Sequence, residues 1–419
     1  MRYRALAALG AALTLGFGVA TASTAAAAGN TLTVWLQVDA QNGWPNLVAA
    51  ANNAFTANHP GWTVNVDYQQ WSDHLTKFDA TIAGNDTPDV IEMGNTEMTK
   101  YMAEGAFANL AQYKSEFANH SSWLQGLTES ATYNKTLFGV PYYAGSRVIT
   151  YRSDLFAKAH IKKLPNSLAA FEADMLKIGA MEKKNKGFSP LYVGGEDWYT
   201  ALSFVFDYGG QIASYEHGHW VGELDSKKSL QGLTAFQTFF NDTQSKSTAK
   251  LDGTSPFPYT VFSQGKTAAN YGPAWYTCCT TAKGGPNYTK VTKQFVMPSH
   301  TKGEAMPGFL GGSDLAIPAQ SSQQSAAAAW IADFTNTQSE QGLQAKGNIP
   351  NATNLLSNSV NDKAAARSWF VPQAKNWVNV ENGNILKTML GQMLSGQLTV
   401  KQAATLASDN IAQTLNSPS

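Results

Sequence analysis

Strand-like and helix-like patterns of apolar and polar residues alternate along the first part of the chain. A segment with a period of two residues, typical of a strand, lies at 31–38, and further strands are predicted at 63–68 and, after Pro88, at 89–93. Segments with helical spacing lie at 46–58, 71–83 and 98–104. A chain that repeats strand and helix in this way builds a parallel sheet, so the pattern predicts an α/β fold.

The middle and end of the chain continue the mixture of strands and helices. Two strand-like segments, 137–143 and 147–151, surround Ala144, Gly145 and Ser146, where we predict a crossing between lobes. A third, 309–317, contains two adjacent glycines, which indicates a close approach of backbone. Shorter strands are predicted at 266–271 and 294–297, and helices at 168–178, 199–207, 230–241, 325–335 and on both sides of Gly396.

Chain length and charge restrict the class of protein. The chain has 419 residues, more than the roughly 250–300 at which a single core stops growing, so two lobes are expected. Lys plus Arg and Asp plus Glu both total 30, and the formal net charge is zero. A nucleic-acid-binding surface needs an excess of positive charge, so no nucleic-acid partner is expected.

The N-terminal segment has the features of an export signal. Arg2 and Arg4 precede an uncharged apolar stretch over 5–20, and small residues lead to Ala28. We predict that 1–28 is a cleaved signal peptide and that the protein is exported to the periplasm or cell surface. No cysteine follows the apolar stretch, so a lipid anchor is not expected, and no later segment is apolar enough to span a membrane.

Motifs for catalysis and metal binding are missing from the sequence. It contains no G-x-S-x-G, H-E-x-x-H or phosphate-binding loop, so no catalytic residue, metal or cofactor is predicted. His217 and His219 lie in a polar stretch and are interpreted as a solvated loop. The adjacent Cys278 and Cys279 have two interpretations, a pair of small buried residues or a disulfide formed in an oxidising compartment.

Tryptophans beside turn residues and acidic groups are the strongest sign of a binding site. Trp198 follows Glu196 and Asp197, and Trp275 follows a Gly-Pro-Ala turn. Aromatic rings stack on the flat apolar faces of sugars, while neighbouring polar groups bind the hydroxyls, so we predict a neutral-oligosaccharide site. Three other tryptophans are assigned to the core instead: Trp62, Trp330 and Trp377.

A series of short motifs keeps the order known from one family. It consists of TLTVW at 31–35, GNDTPDV at 84–90, EGAFANL at 104–110, LFGVP at 137–141, YRSDLF at 151–156, DYGG at 207–210, FSQGK at 262–266, GPAW at 272–275, FLGGS at 309–313 and GNIP at 347–350. In this order the chain resembles the extracellular solute-binding proteins of ABC sugar importers, the maltose-binding-protein-like family. Two features differ from the family pattern. The cysteine that carries the lipid anchor in the tethered members is missing, and Ala274 occupies a position of the GPAW turn at which the family can have an aromatic residue.

The resemblance implies a two-lobed periplasmic-binding-protein fold of type II, with the ligand in a cleft that closes by a hinge. The implied lobes are 29–143 plus about 310–350, and 144–309 plus about 351–419. It also implies a monomer without a cofactor, whose partners are a di- or trisaccharide and the permease subunits of an ABC transporter.

The resemblance also implies a set of ligand-binding residues. These are Gln37 and Asp39 after the first strand, Asn95, Thr96 and Glu97 after the third, Tyr143 at the first crossing, Trp198 with Glu196 or Asp197, Trp275 or Tyr276, and Gly312 and Ser313 at the return crossing. The loop around Asn351 and Thr353 is placed at the rim.

Two alternatives remain open from the sequence. A secreted carbohydrate-active enzyme shares the export signal and the tryptophans, but it needs two functional carboxylates in one cleft. A binding protein of the same fold for polyamine, ferric ion or an anion needs several acids, paired tyrosines or arginines, respectively.

Overall fold

The computed structural model describes residues 30–243, 248, 250–252, 254, 256–283, 285–365, 367–372 and 374–418. The predicted signal peptide, 1–28, lies outside the described residues. Within them, no helix combines the length and the apolar character that crossing a membrane requires.

Strands and helices alternate through the described part of the chain. The strands are β1 Asn30–Gln37, β2 Trp62–Gln69, β3 Val90–Gly94, β4 Thr132–Tyr133, β5 Thr136–Leu137, β6 Gly139–Gly145, β7 Arg147–Arg152, β8 Ser189–Tyr192, β9 Ala213–Glu216, β10 His219–Gly222, β11 Thr267–Pro273, β12 Thr292–Phe295, β13 Gly308–Phe309, β14 Gly311–Ala316, β15 Ile349–Pro350 and β16 Ser368–Trp369.

The helices include most of those predicted from sequence. They are α1 Val38–Gly43, α2 Pro45–Asn58, α3 His74–Gly84, α4 Met98–Ala103, α5 Gln125–Ser130, α6 Ser153–Lys158, α7 Leu168–Met181, α8 Trp198–Asp207, α9 Lys227–Thr243, α10 Pro258–Ser263, α11 Gln324–Phe334, α12 Thr337–Ala345, α13 Val360–Ala365, α14 Trp377–Asn382, α15 Ile385–Leu394 and α16 Val400–Leu415.

A first sheet has the strand order β15-β6-β14-β3-β1-β2. β1 runs parallel to β2 and β3, with Val34 aligned to Val66 and Val90, which confirms the parallel sheet expected from the strand–helix repeat. β14 enters antiparallel to both of its neighbours, β3 and β6. The carboxyl ends of β1 and β3 therefore lie next to each other at one edge of this sheet.

A second sheet has the strand order β12-β7-β11-β8. β7 is antiparallel to β11 and β12, while β8 is parallel to β11. The chain passes from the first sheet to this one at Ser146, the one residue between β6 and β7. The Ser146 backbone N–H donates to Asn361 Oδ1 over 3.1 Å, which pins the crossing.

The return crossing differs from the prediction of one strand over 309–317. Gly308–Phe309 pairs with Ser368–Trp369, whereas Gly311–Ala316 joins the first sheet. Leu310 separates the two strands. A run of apolar residues does not reveal such a break, because both halves are strand-like and only their partners differ.

Each sheet is covered by its own apolar core. Trp330 and Phe334 of α11 are buried beside the first sheet, where Trp330 Nε1 donates to Asn52 Oδ1 over 2.8 Å. Trp377 is buried against the second. Trp62 is half-buried against the first core, so these tryptophans lie where the sequence placed them.

Candidate functional site

Asp39 lies at the carboxyl end of β1, in the short helix α1 that the sequence did not predict. Its Oδ2 accepts a hydrogen bond from Trp71 Nε1 over 2.8 Å. Burial raises the pKa of Asp39 to about 6, against the lowering effect of that bond. Trp71 belongs to the turn before α3, because that helix begins at His74 and not at the predicted residue 71. The turn leaves the Trp71 ring half-buried and its N–H directed at the carboxylate.

Gln37 and Glu92 connect the ends of β1 and β3 below Asp39. The Gln37 backbone N–H donates to Glu92 Oε2 over 2.8 Å, and Gln37 Nε2 donates to the Glu92 carbonyl over 3.3 Å. Burial raises the pKa of Glu92 to about 7. The Ser313 hydroxyl and the Tyr143 phenol contact the Glu92 carboxyl group, while Gln37 Oε1 is buried without a hydrogen-bond donor among the described residues. Tyr143 lies beside Glu92 and Asp39.

Glu97 lies in the loop after β3 and is paired with a buried histidine. Its Oε2 accepts from the Gly94 backbone over 2.8 Å and is 2.9 Å from His74 Nε2. Burial lowers the pKa of His74, but Glu97, the Trp71 carbonyl and Glu92 together outweigh burial, and the net shift is upward. A Cβ on Gly94 would come within 2.9 Å of Glu97 Oε2, so a larger residue here would displace the Glu97 carboxylate.

Arg147, the first residue of β7, supplies positive charge from the second lobe. Its Nη1 donates to Asp197 Oδ2 over 2.9 Å. Asp197 also caps α8, because its Oδ1 accepts from the Thr200 backbone N–H over 3.4 Å, and its Oδ2 accepts from Thr200 Oγ1 over 2.9 Å. The Arg147 guanidinium lies 4.9 Å from the centroid of the Tyr199 ring. The helix cap and the ion pair together fix the start of α8 against the first strand of the second sheet.

The two tryptophans predicted to stack on a ligand are both interior residues. Trp198 is 6% exposed, and Tyr199 stacks on it at 3.8 Å between ring centroids. Trp275 is 4% exposed and meets Trp44 edge-on at 5.8 Å. The sequence of a helix or turn that begins with an aromatic residue does not reveal whether side chains distant in the chain cover its ring. The half-buried indole of Trp71 is the ring with more free surface.

Glu381 of α14 reaches from the second lobe to the loop after β3. It accepts a hydrogen bond from Trp377 Nε1. Burial and the nearby Glu97 raise its pKa to about 7, while Trp377 and the Thr96 hydroxyl act in the opposite direction. Glu381 is therefore in contact with Thr96 and lies close to Glu97.

Tyr276 lies on the other side of the same space. Burial raises its pKa, Arg147 acts against this, and Asp39 adds to it, so the tyrosine is close to charged groups of both lobes. Its ring lies on Gly272, where a Cβ would come within 2.3 Å of a ring carbon. Polar and aromatic residues of the two lobes thus meet in one region, here called the cleft: Asp39, Trp71, Glu97, Arg147, Asp197, Tyr199, Tyr276 and Glu381.

Three other predicted residues have different surroundings. Glu196 lines a separate depression of about 450 Å³ with Lys250, Asp252 and Lys387. The Gly312 carbonyl accepts from the Asn95 backbone N–H over 2.9 Å, so this pair is joined within the first lobe.

Asn351 does not lie at the rim, which corrects the prediction for its loop. It is fully buried, with its backbone N–H on Glu340 Oε2 at 2.8 Å and its Nδ2 on the Pro141 carbonyl at 2.9 Å. Thr353 is exposed, but its hydroxyl donates to the Ser122 carbonyl. The side chain of Asn351 thus hydrogen-bonds its loop to the first lobe. The sequence had suggested a ligand contact in this loop.

Cys278 and Cys279 form a disulfide at the end of the short helical turn Ala274–Cys279. The same turn contains Trp275 and Tyr276, so the bridge borders the cleft. Cys278 is exposed, which differs from the alternative of two buried thiols.

Metal-binding clusters of histidine, cysteine and carboxylate are absent among the residues that the structure describes. His217 and His219 are exposed at the turn between β9 and β10. The site instead offers carboxylates, one guanidinium and aromatic rings, a set suited to hydrogen bonding and stacking.

Trp71, Glu92, Arg147, Tyr199 and Glu381 were not among the predicted site residues. Trp71 carried a usable signal, since it is an aromatic residue between polar groups at the start of a helix. Glu92 carried another, as a lone acid in an apolar strand. Arg147 and Glu381 come from distant parts of the chain and carried none.

A family profile and sequence relatives agree with this architecture. The profile described as bacterial extracellular solute-binding protein matches residues 35–341, and the chain belongs to this family. The chain is 29% identical over 380 residues to the diacetylchitobiose binding protein DasA of Streptomyces coelicolor, covering 88% of this chain and 86% of DasA.

Solved structures share the two-lobed fold. The GacH receptor of Streptomyces glaucescens, solved unliganded and with acarbose, matches with a TM-score of 0.79 and 18% identity, over 93% of this chain and all of GacH. MalE3 of T. maritima with bound maltose matches with a TM-score of 0.77 and 16% identity, over 91% and 98% of the two chains.

Proposed function

We propose that this protein is the substrate-binding component of an ABC importer. It captures an oligosaccharide of two or three units outside the cytoplasmic membrane and delivers it to the permease, without chemical change. The observation that carries the proposal is the polar cleft with Trp71 at its edge, to which both lobes contribute, in a chain of the solute-binding family. The relative DasA, named for a disaccharide ligand, supports the size and class of the ligand.

Each group in the cleft has a task in sugar binding. The Trp71 indole stacks on a pyranose face, while its N–H holds Asp39 in position to accept from a sugar hydroxyl. Arg147 donates from the opposite side, positioned by Asp197 and the Tyr199 ring. Of the residues predicted from sequence, we keep Gln37, Asp39, Thr96, Glu97, Tyr143, Asp197, Tyr276 and Ser313 at the ligand.

Ligand capture requires the lobes to close around the sugar. We place the lobes at 29–143 with about 310–350 and 144–309 with about 351–419, with bending at Ser146 and Leu310. Closure shields the contact of Glu381 with Thr96 from water, which strengthens this polar contact. Export, the absence of a lipid anchor and a monomeric state complete the proposal.

Isothermal calorimetry against a panel of neutral and amino-sugar di- and trisaccharides tests the function. We expect micromolar or tighter affinity for at least one of them, and a fall in radius of gyration on saturation. In parallel, incubation with the bound sugar should release no new reducing ends. Binding of no member of the panel, or hydrolysis of the bound sugar, would overturn the proposal.

A further inference from the structure

The second sheet has one edge that lies away from the cleft. β7 begins at Arg147, in the cleft, and ends six residues later in the strand at Arg152. β8, β11 and β12 run in the opposite direction, and Thr292 at the start of β12 is aligned with Arg152. The first residues of these three strands therefore lie at the same edge as Arg152, about 17 Å from Arg147 along the strand.

Lysines are concentrated at this edge. Lys266 directly precedes β11, and its Nζ donates to the Lys186 carbonyl, shortly before β8, over 3.5 Å. Others flank the start of β12, follow the end of α7, or end α6, the helix that directly follows β7. We call this set the basic edge, and it consists of Lys158, Lys183, Lys184, Lys186, Lys266, Lys290 and Lys293.

The charge of the basic edge is not compensated within the described part of the chain. All seven lysines are exposed, and none of them forms an ion pair there. Two carboxylates lie within four residues of them in sequence, Asp154 and Glu182. Asp154 is already paired with Arg152 over 2.6 Å. The edge therefore has a strong excess of positive charge, although the whole chain is neutral.

Apolar side chains are exposed beside the lysines. Met181, the last residue of α7, is 38% exposed and directly precedes the segment with Lys183 and Lys184. Leu176, on the same helix, is 48% exposed. A soluble polyanion offers only charge, whereas a lipid surface takes up charged and apolar side chains together. The combination favours a lipid surface as the partner.

We propose that the basic edge binds the surface of an anionic phospholipid membrane. The lysines pair with headgroup phosphates, and Met181 and Leu176 enter the headgroup region. Each lysine near such a surface strengthens binding by about fivefold. The proposed first-lobe segments, 29–143 and 310–350, contain 5 Lys and 14 Asp plus Glu, so the same surface repels them. The protein is thus held by the second lobe, with the first lobe directed away.

Cosedimentation of the whole mature protein with vesicles tests the inference. The probes are vesicles of equal parts phosphatidylglycerol and phosphatidylcholine, vesicles of phosphatidylcholine, and soluble polyphosphate. At about 50 mM salt we expect at least about tenfold tighter binding to the anionic vesicles than to the neutral ones. Raising the salt to about 300 mM should remove most of this binding, because ions screen exposed charges.

Variants assign the binding to the basic edge. The triple variant with Lys183→Gln, Lys184→Gln and Lys186→Gln should lose about a hundredfold in affinity for anionic vesicles. The matched control replaces three exposed first-lobe lysines by glutamine and should bind vesicles within about twofold of the parent. These control positions are Lys114, Lys135 and Lys346. The melting temperature of each variant verifies that it folds.

A further variant separates a lipid surface from a soluble polyanion. Met181→Ser keeps every charge, so it should weaken binding to anionic vesicles and leave binding to polyphosphate unchanged. Sugar affinity of the triple lysine variant should equal that of the parent, because the cleft lies at the opposite end of β7.

The possible results distinguish this inference from the proposed function. Equal binding to both kinds of vesicle, no vesicle binding at about 50 mM salt, or parental binding by the triple variant overturns the membrane contact and leaves sugar capture in place. Binding of polyphosphate without binding of anionic vesicles also overturns it, in favour of a soluble polyanion. Salt-sensitive vesicle binding by a protein that binds no sugar supports the membrane contact and counts against the sugar function.

Discussion

The guanidinium of Arg147 lies over the ring of Tyr199, 4.9 Å from its centroid, while Trp198 stacks on the same ring at 3.8 Å. Both a cation and an indole therefore contact the phenol ring. This arrangement fixes the direction of the Tyr199 hydroxyl, whose pKa is raised by burial and, to a lesser degree, by Glu381 and Glu97. Tyr199 therefore connects the second-lobe core, through Trp198, with the charged groups of the cleft.

Replacement of Trp71 tests which ring stacks on the ligand. Trp71→Ala should weaken sugar binding by about 1–3 kcal/mol, because both the apolar face and the hydrogen bond to Asp39 are lost. Trp71→Phe keeps a ring without the N–H and should recover part of this loss. Calorimetric affinities for the same oligosaccharide measure both effects. Parental affinity in Trp71→Ala would show that this ring does not contact the sugar.

The buried ion pair of Arg147 and Asp197 should matter for stability as well as binding. Asp197→Asn keeps the shape of the side chain but leaves the guanidinium without its counter-charge, at a cost of about 3 kcal/mol in unfolding free energy. The control is Asp154→Asn, which breaks the Arg152–Asp154 pair, where the Asp154 side chain is 39% exposed. Loss of that pair should lower the unfolding free energy by less than about 1 kcal/mol. Urea unfolding measures the loss of unfolding free energy in both variants. Similar losses would contradict the conclusion that the Arg147–Asp197 pair matters more for stability.

Stability should decrease as pH rises from about 5 to about 8. Burial raises the pKa of Asp314 from its ordinary value of 3.8 to about 8 and that of Glu92 from 4.5 to about 7. The folded protein therefore holds protons that the unfolded chain releases. The resulting stabilisation is complete below the unfolded pKa and is lost as pH approaches the folded pKa. Melting temperatures across this range measure the slope.

Asp314→Asn isolates one contribution to this slope. Asp314 Oδ2 accepts from Ser130 Oγ over 2.7 Å, and an amide oxygen can take over this role. The variant should melt at a higher temperature than the parent at pH 8 and show a flatter dependence on pH. Asp86→Asn, at an exposed position, should leave the slope unchanged. An identical slope in Asp314→Asn would mean that this carboxyl is not protonated in the folded protein.

The bridge between Cys278 and Cys279 should influence binding more than stability. It closes the shortest loop possible, so it removes little entropy from the unfolded chain. It does close the turn that carries Trp275 and Tyr276. We expect the double variant with Cys278→Ser and Cys279→Ser to melt within about 2 °C of the parent while losing affinity severalfold.

Mass spectrometry provides the accompanying test of the bridge itself. Alkylation of the denatured, unreduced protein should label neither Cys278 nor Cys279, and prior reduction should allow both to be labelled. Two labelled thiols in the unreduced protein would contradict the bridge.

The periodic pattern of the chain determined much of the fold. The segments that became β1 and β2 were recognisable because a half-buried strand repeats every two residues and its covering helix every 3.6, whereas β3 is buried throughout and followed Pro88 as a short apolar run. The crossing near Ser146 was recognisable too, since a small polar residue interrupts two apolar strands. These features depend on which residues are neighbours in the sequence, and the pattern of apolar and polar residues contains this information.

Tertiary structure alone decided which side chains meet in the cleft. Trp198 and Tyr199 are adjacent in sequence, yet the second-lobe core covers the first and leaves the second half-buried. Arg147 and Glu381 share the cleft although they are far apart along the chain. Burial, charge pairing and pKa depend on neighbours in space, and sequence order does not specify these until both lobes have folded and come together.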